Sequence, residues 1–100
     1  MPRTGDLRMP RAFKIGSYVV YFWINEGEPL EPVHVHVALG TPVKNATKIW
    51  ITREGRCKLC NNNSRIPEHV LQNLMDIIEL RSVYITVLWQ MKFNTISFIQ

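Results

Sequence analysis

At 100 residues the chain has the length of one domain with one core, and 46% hydrophobic against 20% charged residues is globular rather than disordered composition. No apolar run approaches the ~18–20 residues of a membrane-spanning helix, no apolar segment follows Arg3, Arg8 and Arg11 as a secretory signal requires, and two cysteines cannot frame a disulfide-built fold. Twelve Lys and Arg against eight Asp and Glu leave a formal charge of +4, which favours acidic partners, nucleic acid included, and equally serves solubility.

Residues 1–10 hold two prolines, a glycine and two arginines and read as a flexible N-terminal arm; residues 11–100 read as a single α+β domain. Ala12 to Ile15 is a short alternating run closed by the turn signal Gly16-Ser17. The clearest strand follows, Tyr18 to Ile24, apolar or aromatic on both faces and so expected to be covered on both sides. Asn25 to Pro32 is a loop, because two prolines and a glycine cannot continue a central strand. Val33 to Leu39 is the second long strand, with Val33, Val35 and Val37 on one face and His34, His36 and Ala38 on the other. After a turn over Gly40 to Asn45, Ala46 to Thr52 is a third strand that sets Ile49 and Ile51 against Lys48, Trp50 and Thr52. Arg53-Glu54-Gly55 predicts a hairpin bend into a short strand around Arg56 to Leu59.

Asn61 to Ser64 is a polar break. Pro67 suits the first position of a helix, and Val70, Leu71, Leu74, Ile77 and Ile78 then recur at helical spacing, predicting a helix over 67–80. Val83 to Trp89 is open to two readings. Its β-branched and aromatic residues have strand propensity, while Ile85, Leu88, Trp89 and Phe93 share one helical face. The tail, Ile96 to Ile99, is apolar enough to pack.

Tyr21-Phe22-Trp23-Ile24-Asn25-Glu26, a short acidic and proline-containing loop, and Pro32-Val33-His34-Val35-His36-Val37 resemble the bacterial domain-of-unknown-function family 4160. Ala46 to Ile51 is similar to that family's Ala-Lys-Phe-Trp-Leu strand, Pro67 to Glu79 to its first helix, and Trp89 and Phe93 to the aromatic end of its last helix. The resemblance covers roughly residues 11–93. Two departures stand out: Val33 replaces the second of two prolines before the first histidine, and Ile66 stands where a Ser or Thr cap normally precedes the helix proline. The resemblance implies a small antiparallel sheet of about four to five strands followed by a C-terminal helical pair packed on it, with 82–93 as the second helix. Members often lie beside genes of toxin–antitoxin type, and the family carries no established chemistry.

His34 and His36 are the foremost chemical candidates. At i, i+2 on a strand they point to one face, where two imidazoles can form an acid–base pair near neutral pH or hold a metal. The same alternation also places two polar residues on the wetter face of a half-buried strand. Glu26 is a third catalytic candidate, and Asn25 and Glu26 can either brace the loop backbone or line a site with His34. Lys48, Trp50 and Arg53 complete the candidate binding set, Trp50 as a stacking surface beside Lys48 and Arg53 as a phosphate partner. Cys57-Lys58-Leu59-Cys60 is a lone CxxC; with His34 and His36 it would make a chemically sound zinc set, and without them two incidental thiols. No phosphate loop, zinc-protease helix or nucleophile elbow occurs, and a second helix with only Thr86, Gln90 and Lys92 to read bases is ill suited to direct readout.

The expectation is therefore a cytoplasmic bacterial binding module of toxin–antitoxin type, with the enzyme question open but leaning towards none and no cofactor, contacting a cognate toxin or antitoxin protein or nucleic acid and no membrane. The alternatives are a small ribonuclease-like toxin using His34 and His36 as acid and base, and a zinc-binding protein.

Overall fold

A computed structural model describes residues 11–24 and 30–100. Five strands run in chain order as one antiparallel sheet: β1 (Arg11–Ile15), β2 (Tyr18–Tyr21), β3 (His34–Leu39), β4 (Thr47–Ile51) and β5 (Cys57–Asn61). Two helices follow, α1 (Glu68–Leu80) and α2 (Ser82–Phe93). The α+β architecture read from the sequence is present. The N-terminal arm expected over residues 1–10 lies outside the described residues.

The registers follow from the turns and the apolar alternation. Gly16 and Ser17 form a two-residue loop that pairs Ile15 with Tyr18. Across β3, Val37 faces Val20 on β2 and Val35 faces Ile49 on β4. Val20, Val35, Val37, Ile49 and Ile51 thus form one apolar face, on which Leu71, Leu74 and Ile78 of α1 and Ile85 and Trp89 of α2 are buried. β2 is interior and buried on both sides, as its sequence implies, but it ends at Tyr21 rather than Ile24. Phe22 leaves the ladder and packs at 5.0 Å from the Trp89 ring.

The β4–β5 hairpin needs a glycine. Gly55 lies at φ +83°, and a Cβ there would stand 3.0 Å from Ser82 Oγ at the start of α2. β5 continues past Leu59 to Asn61 because a bulge leaves Cys60 between the Leu59–Ile49 and Asn61–Lys48 pairs.

Pro67 is the N-cap of α1 rather than its first turn: its ψ of 144° is extended, and no side chain caps the helix. Asn62 supplies the missing order. Its Oδ1 accepts the Ile66 N–H at 3.1 Å and its Nδ2 donates to the Ile66 carbonyl at 2.8 Å. Thr47 Oγ1 donates to the same Oδ1 at 2.7 Å, and Ser64 Oγ donates to the Val37 carbonyl at 3.1 Å. This network joins the β5–α1 connection to β3 and β4.

Residues 82–93 are helical. Tertiary burial overrides their β propensity, since Ile85 and Trp89 are fully buried in the core. The helix stops at Asn94, which takes the left-handed φ of 60° and donates its N–H to the Gln90 carbonyl. The tail then returns to the sheet: Val33 N–H donates to the Ser97 carbonyl at 2.9 Å, and Ile96 and Phe98 pack on the core.

Candidate functional site

β3 begins at His34, and strand alternation turns His34 and His36 away from the valine face. The pairing fixes their neighbours. His36 lies between Tyr21 on β2 and Lys48 on β4, and His34 lies opposite Trp50. The two imidazoles meet edge to face with centroids 5.1 Å apart. His36 stacks on Tyr21 at 5.6 Å, while His34 packs edge-on against Trp50 at 5.6 Å and Trp89 at 5.2 Å. His34 Nδ1–H donates to the Pro32 carbonyl at 2.9 Å, since the carbonyl can only accept.

This face is enclosed rather than wetter. His34 is 1% exposed and His36 9%. Beside them Val19, Tyr21, Ala38 and Ala46 form a second buried cluster. Tyr21 is held from above: its hydroxyl donates to the Val43 carbonyl at 2.7 Å and accepts the Val43 N–H at 3.0 Å. Burial raises the Tyr21 pKa above its ordinary value, with the Val43 hydrogen bond opposing.

Lys48 provides the charge. Its ammonium lies 4.5 Å over the Trp50 ring and forms an ion pair with Glu31. The hydrogen bond from Lys48 holds the Glu31 carboxyl below its usual range, against burial, with the positive field of Lys48, His34 and His36 acting in the same sense as the bond. Glu31, Tyr21 and Trp89 belong to this constellation too: Tyr21 and Trp89 stand in the stretches that carry the family resemblance, and Glu31 lies in the acidic loop before Pro32, where sequence reading assigned it no role of its own.

The structure therefore brings together His34, His36, Lys48 and Trp50. The other candidates lie apart. Arg53 follows β4 and stacks its guanidinium 4.8 Å over the Phe98 ring. Cys57 pairs with Ile51, on the helix-bearing face of the sheet and opposite to the histidines. Its Sγ–H donates to the Met75 carbonyl at 3.6 Å, and burial, with the carboxylates of Glu79 and Asp76 behind it, pushes the thiol pKa up to about 12. Cys60 is exposed at the bulge. Asn25 and Glu26 lie outside the described residues. Among the described residues no three of His, Cys, Asp and Glu converge in a way that could hold a metal ion.

A second surface stands out. On α2, the helix with almost no polar face, Val83 is 74% exposed, Val87 52% and Met91 71%, with Leu80 just before it at 86%. Tyr84 is also exposed, its ring 6.3 Å from Phe13 of β1. Positions 83, 84, 87 and 91 form a continuous stripe on α2, and Leu80 is the last residue of α1. The signal was present in the sequence: Val83, Tyr84, Ile85, Val87, Leu88, Trp89 and Met91 lie on several sides of the helix, more than a small core can bury.

No described helix is long and apolar enough to cross a membrane. A family model described as a domain of unknown function (DUF4160) matches residues 17–90, from the turn before β2 to within α2. Comparison with curated proteins and with solved structures returned no match.

Proposed function

The chain belongs to the DUF4160 family, a domain of unknown function, and on that footing we propose that it is a binding module that works by contact with a partner macromolecule rather than by turnover. The toxin–antitoxin setting is the one that the family resemblance implies. The observation that carries the reading is the outward stripe of α2, where Val83, Val87 and Met91 are all more than half exposed. Large apolar side chains in one row on a stable helix are the signature of a contact surface.

The histidine pair supports the same reading from the other side. A general acid or base must come within hydrogen-bond reach of the proton it moves. His34 and His36 are instead packed among Tyr21, Trp50 and Trp89 and lie beside the Lys48–Glu31 pair. In that setting they order the start of β3 and the segment that leads into it.

The test is affinity capture from the host at low salt, followed by reconstitution with the purified partner. A defined protein or nucleic acid partner is expected at fixed stoichiometry; recovery of neither contradicts the reading. In parallel, the purified protein is expected to leave RNA intact between about pH 5 and pH 8, the range in which histidines exchange protons, with or without divalent metal. Cleavage that is lost in a folded His36→Gln variant would replace the binding module with the ribonuclease alternative.

A further inference from the structure

We propose that the free edge of β5, with the hollow between it and α1, takes an extended basic peptide of a partner protein as an added strand; the site is separate from the α2 stripe and does not depend on it.

β5 ends the sheet, with β4 as its one neighbour among the described strands. The hairpin fixes which of its backbone groups point outward. Thr52 N–H donates to the Arg56 carbonyl at 2.8 Å, so Arg56 turns its backbone to β4. By the alternation of an antiparallel ladder Lys58, opposite Trp50, does the same. Ile51 agrees, because its N–H runs the other way, to the Val33 carbonyl at 3.2 Å. Cys57 and Leu59 therefore turn their N–H and C=O groups away from the sheet. Glu79 takes the Cys57 N–H at 2.8 Å. The Cys57 carbonyl and both groups of Leu59 have no partner among the described residues, and they form a template for another strand.

A pocket lies beside that template. A hollow of about 480 Å³ opens between Leu59 and α1, with Ile66, Leu71 and Met75 as its apolar floor. Leu59 borders it because its partner Ile49 belongs to the helix-bearing face, and it is left 40% exposed. Residues directly opposite each other in a ladder share a face. A peptide residue that exchanges hydrogen bonds with Leu59 thus turns its side chain to the hollow.

Charge selects the occupant. Glu68, Gln72, Met75 and Glu79 fall at i, i+4, i+7 and i+11 on α1, and they make the stripe that borders β5. Glu68 is the one charged side chain among the described residues lining the hollow. Gln72 beside it donates to Asp76 at 3.0 Å. The nearest cations leave this wall acidic: Arg56 is joined to Glu79 at 3.4 Å, Lys58 lies on the histidine face opposite Trp50, and Arg65 lines no part of the hollow. An apolar side chain for the hollow, with Lys or Arg two residues away on the same face of the strand, satisfies floor and wall together.

The other occupants fit worse. A second copy added edge to edge sets the two α1 stripes against each other across a two-fold axis, and α1 carries Glu68, Asp76 and Glu79 with no Lys or Arg. A helix has no backbone groups to spare for Leu59. A nucleic acid backbone meets the same carboxylates.

The test uses the full chain and three synthetic peptides of about seven residues, a usual strand length. Each has a central leucine and threonine at alternate positions. The first carries Lys two residues to either side of the leucine and the second carries Glu there. The third is the Lys peptide with the leucine nitrogen methylated, which removes the N–H that would reach the Leu59 carbonyl. The Lys peptide is expected to bind, to weaken with added salt, and to shift amide resonances within 57–61 and 68–79. The Glu peptide and the methylated peptide are each expected to bind at least about tenfold more weakly, the loss of charge complement or of the strand hydrogen bonds. Glu68→Lys, an exposed change, is expected to narrow the gap between the Lys and Glu peptides. Equal binding of the methylated peptide, equal or stronger binding of the Glu peptide, or no binding overturns the proposal. So does a dimer in sedimentation that Leu59→Lys dissolves, or an RNA oligomer that shifts the same resonances. A folded Val87→Gln/Met91→Gln variant is expected to bind the Lys peptide as wild type does; loss there places the peptide on α2 and overturns the β5 site. Partner capture is read separately: failure to capture a partner removes the binding module, whereas failure of the peptides removes only the β5 site.

Discussion

Glu79 shows how one side chain can join two elements. Near the end of α1 its carboxylate accepts the Cys57 N–H at 2.8 Å and the Arg56 Nε–H at 3.4 Å. The Cys57 bond, followed by Arg56, holds its pKa below the ordinary value. A carboxylate whose pKa falls on folding stabilises the native state above its unfolded pKa of about 4.3, and that contribution is lost as pH falls through the lowered folded value. Glu31, lowered by Lys48, acts in the same sense. Urea melts of Glu79→Gln should therefore show lower stability than wild type at neutral pH and a gap that closes in acid; a pH-independent gap would contradict the ion-pair account. The cysteines make a second residue-scale prediction. At about pH 8 a thiol reagent should label exposed Cys60 and spare Cys57, whose raised pKa keeps it a thiol, until the protein unfolds. Asn62 makes a third: Asn62→Ala strands the Ile66 groups and Thr47, at a cost of about 1–3 kcal/mol in chemical denaturation.

Among the elements, α2 has two faces with different roles. Trp89 is fully buried against Phe22, Phe93 and His34, so Trp89→Ala should cost about 3–5 kcal/mol in the same melts. Val87→Gln on the outward face should change stability by no more than about 0.5 kcal/mol. Equal losses at the two positions would mean that the outward face is covered. Much of the architecture was legible in local patterns. The alternation of Val33 to Ala38 gave β3 its two faces, and the spacing of Val70 to Ile78 gave α1. Residues 82–93 were legible as a helix only through the family resemblance, because in the local pattern Ile85 and Trp89 satisfy strand propensity and helix periodicity at once and only burial against the sheet decides between them. The bulge at Cys60 and the Asn62 hydrogen bonds to Ile66 escaped for a similar reason: both depend on partners, β4 and Ile66, whose positions no local pattern encodes. The histidine site was half legible. Alternation put His34 and His36 on one face with Lys48 and Trp50 beside them, but their enclosure comes from Tyr21, Trp89 and the residues near Val43, which arrive from distant parts of the chain.

Across the whole molecule, the division of labour follows from the number of apolar side chains available. One sheet face takes the helical pair, the other closes over the histidines, and the apolar residues left on α2 meet solvent. The chain carries a formal charge of +4, and none of its carboxylates falls within residues 80–100. The central claim is that the contact surface is α2 and that the histidine face is structural. The most direct test is partner binding by three folded proteins side by side: wild type, Val87→Gln/Met91→Gln and His36→Gln. Full affinity in wild type and His36→Gln with loss in the helix variant is the predicted result. Loss in His36→Gln with full affinity in the helix variant would contradict it and move the functional surface to β3.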